Sequence, residues 1–131
     1  MITEDYVSFE IAKLLKEKGF DEMTELAYGL EHGHIRSDLP VSYWRNSEIG
    51  EHKFSCPTLQ MAMKWLREKH NQNVTVKAFN NVARLKRTYY AEVQNLLEPG
   101  EKGFCVNGCT FEDSYEQACE AAIKYCLENL I

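Results

Sequence analysis

Hydrophobic positions along the chain follow two different periods, and the switch between them lays out the elements. Three segments keep the 3.6-residue spacing of an amphipathic helix. The first covers Phe9 to Lys18, with Ile11, Leu14 and Leu15 on one side. Ser8 is its natural N-cap, and Gly19-Phe20 ends it, with glycine at the left-handed position and Phe20 folding back on the last turn. The second follows Thr58, with Leu59, Ala62, Met63 and Leu66 at i, i+3, i+4 and i+7. Met61 and Trp65 widen that stripe, and Pro57 stops the helix from starting earlier. The third opens at Ser114 with Gln117 completing a capping box. Its stripe is Tyr115, Ala118, Cys119, Ala122, Ile123, Cys126, Leu127 and Leu130.

Between the second and third helices the period falls to two. Val74, Val76 and Ala78 alternate with Thr75, Lys77 and Phe79, and Tyr89, Ala91 and Val93 alternate with Thr88, Tyr90, Glu92 and Gln94. Both read as strands with one buried and one wet face. Glu98-Pro-Gly100 breaks the second strand, and another starts at Gly103 to Val106. Asn107-Gly108 then predicts a tight type I′ hairpin into Cys109 to Phe111. A weaker strand is expected over Thr24 to Tyr28, turning near Glu31-His-Gly33. Ser37 to Cys56, with Pro40, Tyr43 and Trp44, has no clear period and reads as a long loop or short irregular strand. The expected fold is a single α+β domain over residues 1–131. An antiparallel or mixed sheet of about four to six strands is covered by three helices, ending in an α-β-β-β-α unit.

Composition changes this picture little. Of 131 residues, 44% are hydrophobic and 27% charged, which is globular rather than disordered. No apolar run approaches the roughly 20 residues that span a bilayer, and the acidic start lacks the pattern of a secretory signal. Membrane attachment is therefore not expected. Cys56, Cys105, Cys109, Cys119 and Cys126 are an odd set without the density of a disulfide scaffold, and Cys119 and Cys126 fall on a helix's apolar stripe. A reducing cytoplasm is the expected compartment.

Charge adds more. The net charge is −5, yet Gln60 to Tyr90 holds seven basic residues and one acidic, a net +6, against eight basic and nineteen acidic elsewhere, a net −11. Lys64, Arg67, Lys69, Lys77, Arg84, Lys86 and Arg87 form this basic strip, with Phe79, Tyr89 and Tyr90 interleaved. Such a mixture suits phosphate contacts and base stacking, or a solvated face that meets an acidic protein or a second copy of the chain. Trp44, with Tyr43, Phe54 and nearby Arg45, offers a second aromatic set, either an interface anchor or a tie from the loop to the sheet. His32, His34, His52 and Cys56 have zinc-compatible chemistry but lack the paired spacing of a zinc motif, so no metal is expected. In a two-residue hairpin Cys105 and Cys109 would be diagonal neighbours, poorly placed for a disulfide. No Gly-x-Ser-x-Gly, P-loop or Gly-x-Gly-x-x-Gly occurs, and neither a cofactor nor an enzymatic activity is expected.

Three blocks carry a resemblance. YVSFEIAKLLKEKGFD (Tyr6 to Asp21), PTLQMAMKWLREKH (Pro57 to His70) and SYEQACEAAIKYCLENLI (Ser114 to Ile131) resemble a family of small proteins of gut Bacteroidales and of their phages and mobile elements. The blocks span the helical parts of the chain, and Glu22 to Cys56 and the strands match less well. The family has no assigned activity that could be transferred, so the resemblance implies a setting, a cytoplasmic accessory protein of phage type. From Pro57 onward, the order helix, three strands, helix is similar to that of a double-stranded RNA-binding domain. Such domains grip phosphate with Lys and Arg at the start of the last helix. Here that place holds Glu112, Asp113, Glu116 and Glu120, which would repel it. The leading expectation is a non-enzymatic protein-binding or self-associating accessory protein. The alternative is a nucleic-acid-binding module using Lys64 to Arg87.

Overall fold

A computed structural model describes the chain apart from Met1, His32, Gly33, Arg84, Pro99, Glu101 and Cys109, with only the backbone described for residues 31, 34–44 and 81. It is an α+β protein, with three α-helices and two antiparallel sheets among the described residues. The elements run α1 (Phe9–Glu17), β1 (Thr24–Glu31), β2 (His34–Trp44), β3 (Lys53–Ser55), α2 (Leu59–His70), β4 (Gln72–Asn81), β5 (Lys86–Asn95), β6 (Phe104–Cys105) and α3 (Tyr115–Asn129). Two compact units divide them, residues 1–61 and 62–131. No helix of the described residues is long and apolar enough to cross a membrane.

In the first unit, Ser8 Oγ accepts the Ile11 N–H, and α1 turns Ile11, Ala12 and Leu15 inward. Gly19, at φ +92°, lets the Phe20 N–H return to the Leu15 carbonyl at 2.9 Å, and Phe20 is buried. The sheet order is β2-β1-β3. Ser37 to Cys56, expected as a long loop or short irregular strand, is in part strand, with turns over residues 45–52. It holds most of the eleven-residue β2 and all of β3. Two register shifts, at Thr24/Leu26 and Ala27/Gly29, and Pro40 opposite Leu26 disturb the β1–β2 ladder. Bulges of that kind disrupt strict alternation, which is why no period-two pattern marks the strand.

In the second unit the strand order is β4-β5-β6, preceded by α2 and followed by α3, giving the expected α-β-β-β-α order. β4 and β5 pair without a register break from Gln72↔Asn95 to Asn81↔Lys86. α3 starts where Ser114 Oγ accepts the Gln117 N–H and buries Ala118, Cys119, Ala122, Ile123, Cys126 and Leu127. Asn107-Gly108 departs from expectation. Both residues have positive φ, 52° and 68°, as a type I′ turn requires, but they lie in a short 3-10 turn rather than a hairpin. β6 pairs Cys105 with Glu92, and Glu112 then pairs with Tyr89. Seven steps along one strand thus match three along the other, so the turn is an excursion in an edge strand that keeps its direction. Cys105 is disulfide-bonded, whereas Cys56, Cys119 and Cys126 are free; Cys109 lies outside the described residues. The poor placement expected for a Cys105–Cys109 bridge concerns a residue outside the described ones.

Candidate functional site

The alternation of β4 and β5 decides which basic and aromatic residues meet. Directly opposed residues of an antiparallel pair share a face, and neighbours along a strand do not. Val74, Val76 and Ala78 therefore lie with Val93, Ala91 and Tyr89 on one face, and α3 covers it. Tyr115 of α3 meets Tyr89 edge-on at 6.2 Å, and Tyr125 meets Phe104 at 5.6 Å. Thr75, Lys77 and Phe79 lie with Glu92, Tyr90 and Thr88 on the other face.

That second face carries an aromatic cluster. Phe111 comes off the segment after the 3-10 turn and stacks on Phe79, with centroids 5.2 Å apart and planes 29° from parallel. It also meets Tyr90 edge-on at 5.7 Å. Phe79 and Phe111 remain 47% and 46% exposed, so each ring is packed on one side and open on the other. Thr88 anchors the sheet beneath them, its hydroxyl donating to the Phe79 carbonyl at 2.9 Å.

The cations beside this cluster are paired. Lys77 Nζ lies 3.2 Å from Glu92, and Lys86 Nζ 2.5 Å from Asp113. Of the strip read from the sequence, Lys77, Lys86 and Tyr90 therefore share the open face. Arg87 stands opposite Asn80 and leaves from the α3 side. Lys64 and Arg67 project from the outer side of α2, away from its buried Ala62, Met63 and Leu66. Arg84 and the Trp44 side chain lie outside the described residues. The strip is thus spread over several surfaces. Phe111 joins the cluster without a local sequence signal, because nothing near it alternates with Phe79 or Tyr90.

Of the other candidates, Phe54 and Cys56 pack into the fold. Phe54 is half-buried, edge-on to Phe9 at 5.4 Å, with the Lys16 ammonium 5.1 Å from its ring centroid. Lys16 also donates to the carbonyls of Gly50 and Lys53, and burial lowers its pKa while Glu51 opposes that shift. His52 is exposed and Cys56 buried; His32 and the His34 side chain lie outside the described residues, among which no cluster suited to a metal occurs. Burial pushes the Cys119 thiol up to about 11 and that of Cys126 to about 12, which makes them poor nucleophiles. No protein-family model, no curated protein and no solved structure matches this chain.

Proposed function

We propose that this chain is a non-catalytic protein-binding protein that engages its partner through the open face of β4-β5-β6. It acts as an accessory protein in a phage or mobile-element setting. The observation that carries the reading is the half-exposed stack of Phe79 and Phe111 braced by Tyr90. Aromatic side chains fixed on a rigid sheet bury large area at little entropic cost, the usual make-up of an interface hot spot. The paired lysines bear on the choice of partner. Phosphate recognition gains from releasing counterions at free cations, and Lys77 and Lys86 already have carboxylate partners. We place the protein in the cytoplasm, where Cys56, Cys119 and Cys126 remain thiols. The disulfide at Cys105 stands against that compartment, and thiol titration of protein quenched directly from cells decides between them.

The test pairs a photo-crosslinker at Thr75, on the same face, with the double substitution Phe79→Ser, Phe111→Ser. Crosslinking in lysate to a discrete protein, abolished by the double substitution and kept by Lys124→Ala on α3, supports the reading. Crosslinking to another protein that ignores the rings overturns it, whereas a crosslink between two copies of the chain does not count for or against it. Mixed RNA and DNA oligonucleotides form the second arm. Binding that weakens steeply between low and moderate salt would put nucleic acid in the partner's place.

A further inference from the structure

β4 is an outer strand of its sheet, and the hydrogen bonds around it fix which of its backbone groups face away. The Tyr89 N–H donates to the Glu112 carbonyl at 2.9 Å and the Tyr89 carbonyl accepts the Glu112 N–H at 2.7 Å, so Tyr89 turns both backbone groups away from β4. The Leu96 N–H donates to the Asn71 carbonyl at 2.8 Å, which continues the β4–β5 ladder on odd-numbered residues of β4. By the alternation of antiparallel pairing, Gln72, Val74, Val76, Ala78 and Asn80 direct their N–H and C=O groups off the free edge. Among the described residues no strand pairs with that side. Ala78 and Asn80 are exposed, and Gln72, Val74 and Val76 are half-buried.

Natural sheets blunt such an edge with proline, a bulge or several charges. β4 has no proline, its pairing with β5 has no register break, and Lys77 is its one charged residue. It also fits itself. Folded about Val76, Gln72 falls opposite Asn80, and Val74 opposite Ala78, so amide meets amide at the ends and apolar side chains meet at the centre. On the other face Thr75 falls opposite Lys77, and Asn73 opposite Phe79. No like charges are opposed, and the Lys77 charge is already balanced by Glu92.

We infer that two copies of this chain pair antiparallel through β4, about a two-fold axis at Val76, to form one continuous six-stranded sheet. In that register every outward N–H and C=O from Gln72 to Asn80 finds a partner. The two-fold axis stands perpendicular to the sheet, so both α3 helices lie on the same side and both aromatic faces on the other. This inference does not rest on the aromatic face as a partner site, since it uses the strand's edge rather than its surface.

Sedimentation of the full chain over a wide concentration range tests it, alongside Ala78→Pro and Thr75→Lys. Proline at Ala78 removes an outward donor and leaves the β4–β5 ladder bonded. Lysine at Thr75 gains Glu92 within its own copy yet opposes Lys77 of the other, so it weakens only the pair. The mass of the native chain should double with concentration, and both variants should stay at one chain. Amide exchange in the native protein gives a second readout that does not depend on the variants folding. Val74, Val76 and Ala78 should exchange slowly when concentrated and quickly when dilute, with Thr75 and Lys77 unchanged. A single-chain mass at every concentration, or a double mass that survives both substitutions, overturns the inference, whatever the crosslinking shows.

Discussion

Asn46 and Ser55 show how differently two buried polar residues can contribute. Asn46 Nδ2 donates to the Phe20 carbonyl at 2.7 Å, and its Oδ1 accepts the Ser55 N–H at 2.8 Å. One amide thereby ties the end of the first helical segment to β3 and satisfies two backbone groups. Asn46→Ala strands both, and urea unfolding should show a loss of about 2–4 kcal/mol. The Ser55 hydroxyl is fully buried and has no protein partner among the described residues. Its desolvation brings no bond in return, so Ser55→Ala should be neutral or stabilising by up to about 1 kcal/mol in the same assay. Leu85 breaks a rule in another way, with φ at +50° and a side chain 91% exposed. A β-carbon in that region costs roughly 1 kcal/mol, and nothing described packs on this leucine to offset it. Leu85→Gly should therefore raise the unfolding midpoint, a reversal of the usual effect of glycine.

At the scale of elements, the helices were legible because their ends are written in local chemistry. Ser8, Thr58 and Ser114 each accept an N–H three residues on, at 3.4, 3.1 and 3.1 Å. Ser114→Ala should cost about 1 kcal/mol and fray the first turn of α3, visible as lost amide protection at Gln117. Strands depend on partners distant in sequence, and there legibility fell away. β2 was hidden by register shifts and Pro40, and the Asn107-Gly108 turn has the dihedrals of a hairpin without its reversal. Part of the candidate site could have been read more closely. Arg87 and Tyr90 are three residues apart, an odd step, so any strand holding both sends them to opposite faces. That alone divides the basic strip. The contribution of Phe111 could not have been read, since the four-residue excursion that delivers it to Phe79 is a property of the folded edge.

For the whole molecule, proton linkage predicts a stability profile with two shoulders of different origin. Burial lowers the pKa of His70, whose ring lies 4.6 Å from that of Trp65. The folded chain then holds fewer protons on His70 than the unfolded chain, so stability falls as pH drops below the ordinary 6.5 and levels off once the folded group is protonated. Cys119 and Cys126 act with the opposite sign. Their folded values near 11 and 12 stand above the ordinary 9.0, so their contribution is intact below pH 9 and is lost as pH rises from there. Lys16 partly offsets that loss, because a lowered lysine releases its proton earlier in the fold than outside it. Its ammonium is mostly solvated, so the thiols dominate. Thermal unfolding between pH 5 and 11 should then give a plateau from about 6.5 to 9 with a decline on each side. His70→Gln should flatten the acid shoulder and Cys126→Ala the alkaline one. The change in slope is the readout, because either substitution also shifts the starting stability through packing. An alkaline decline unchanged in Cys126→Ala would mean that the thiol is not buried in solution, and with it that the apolar stripe of α3 does not face the core.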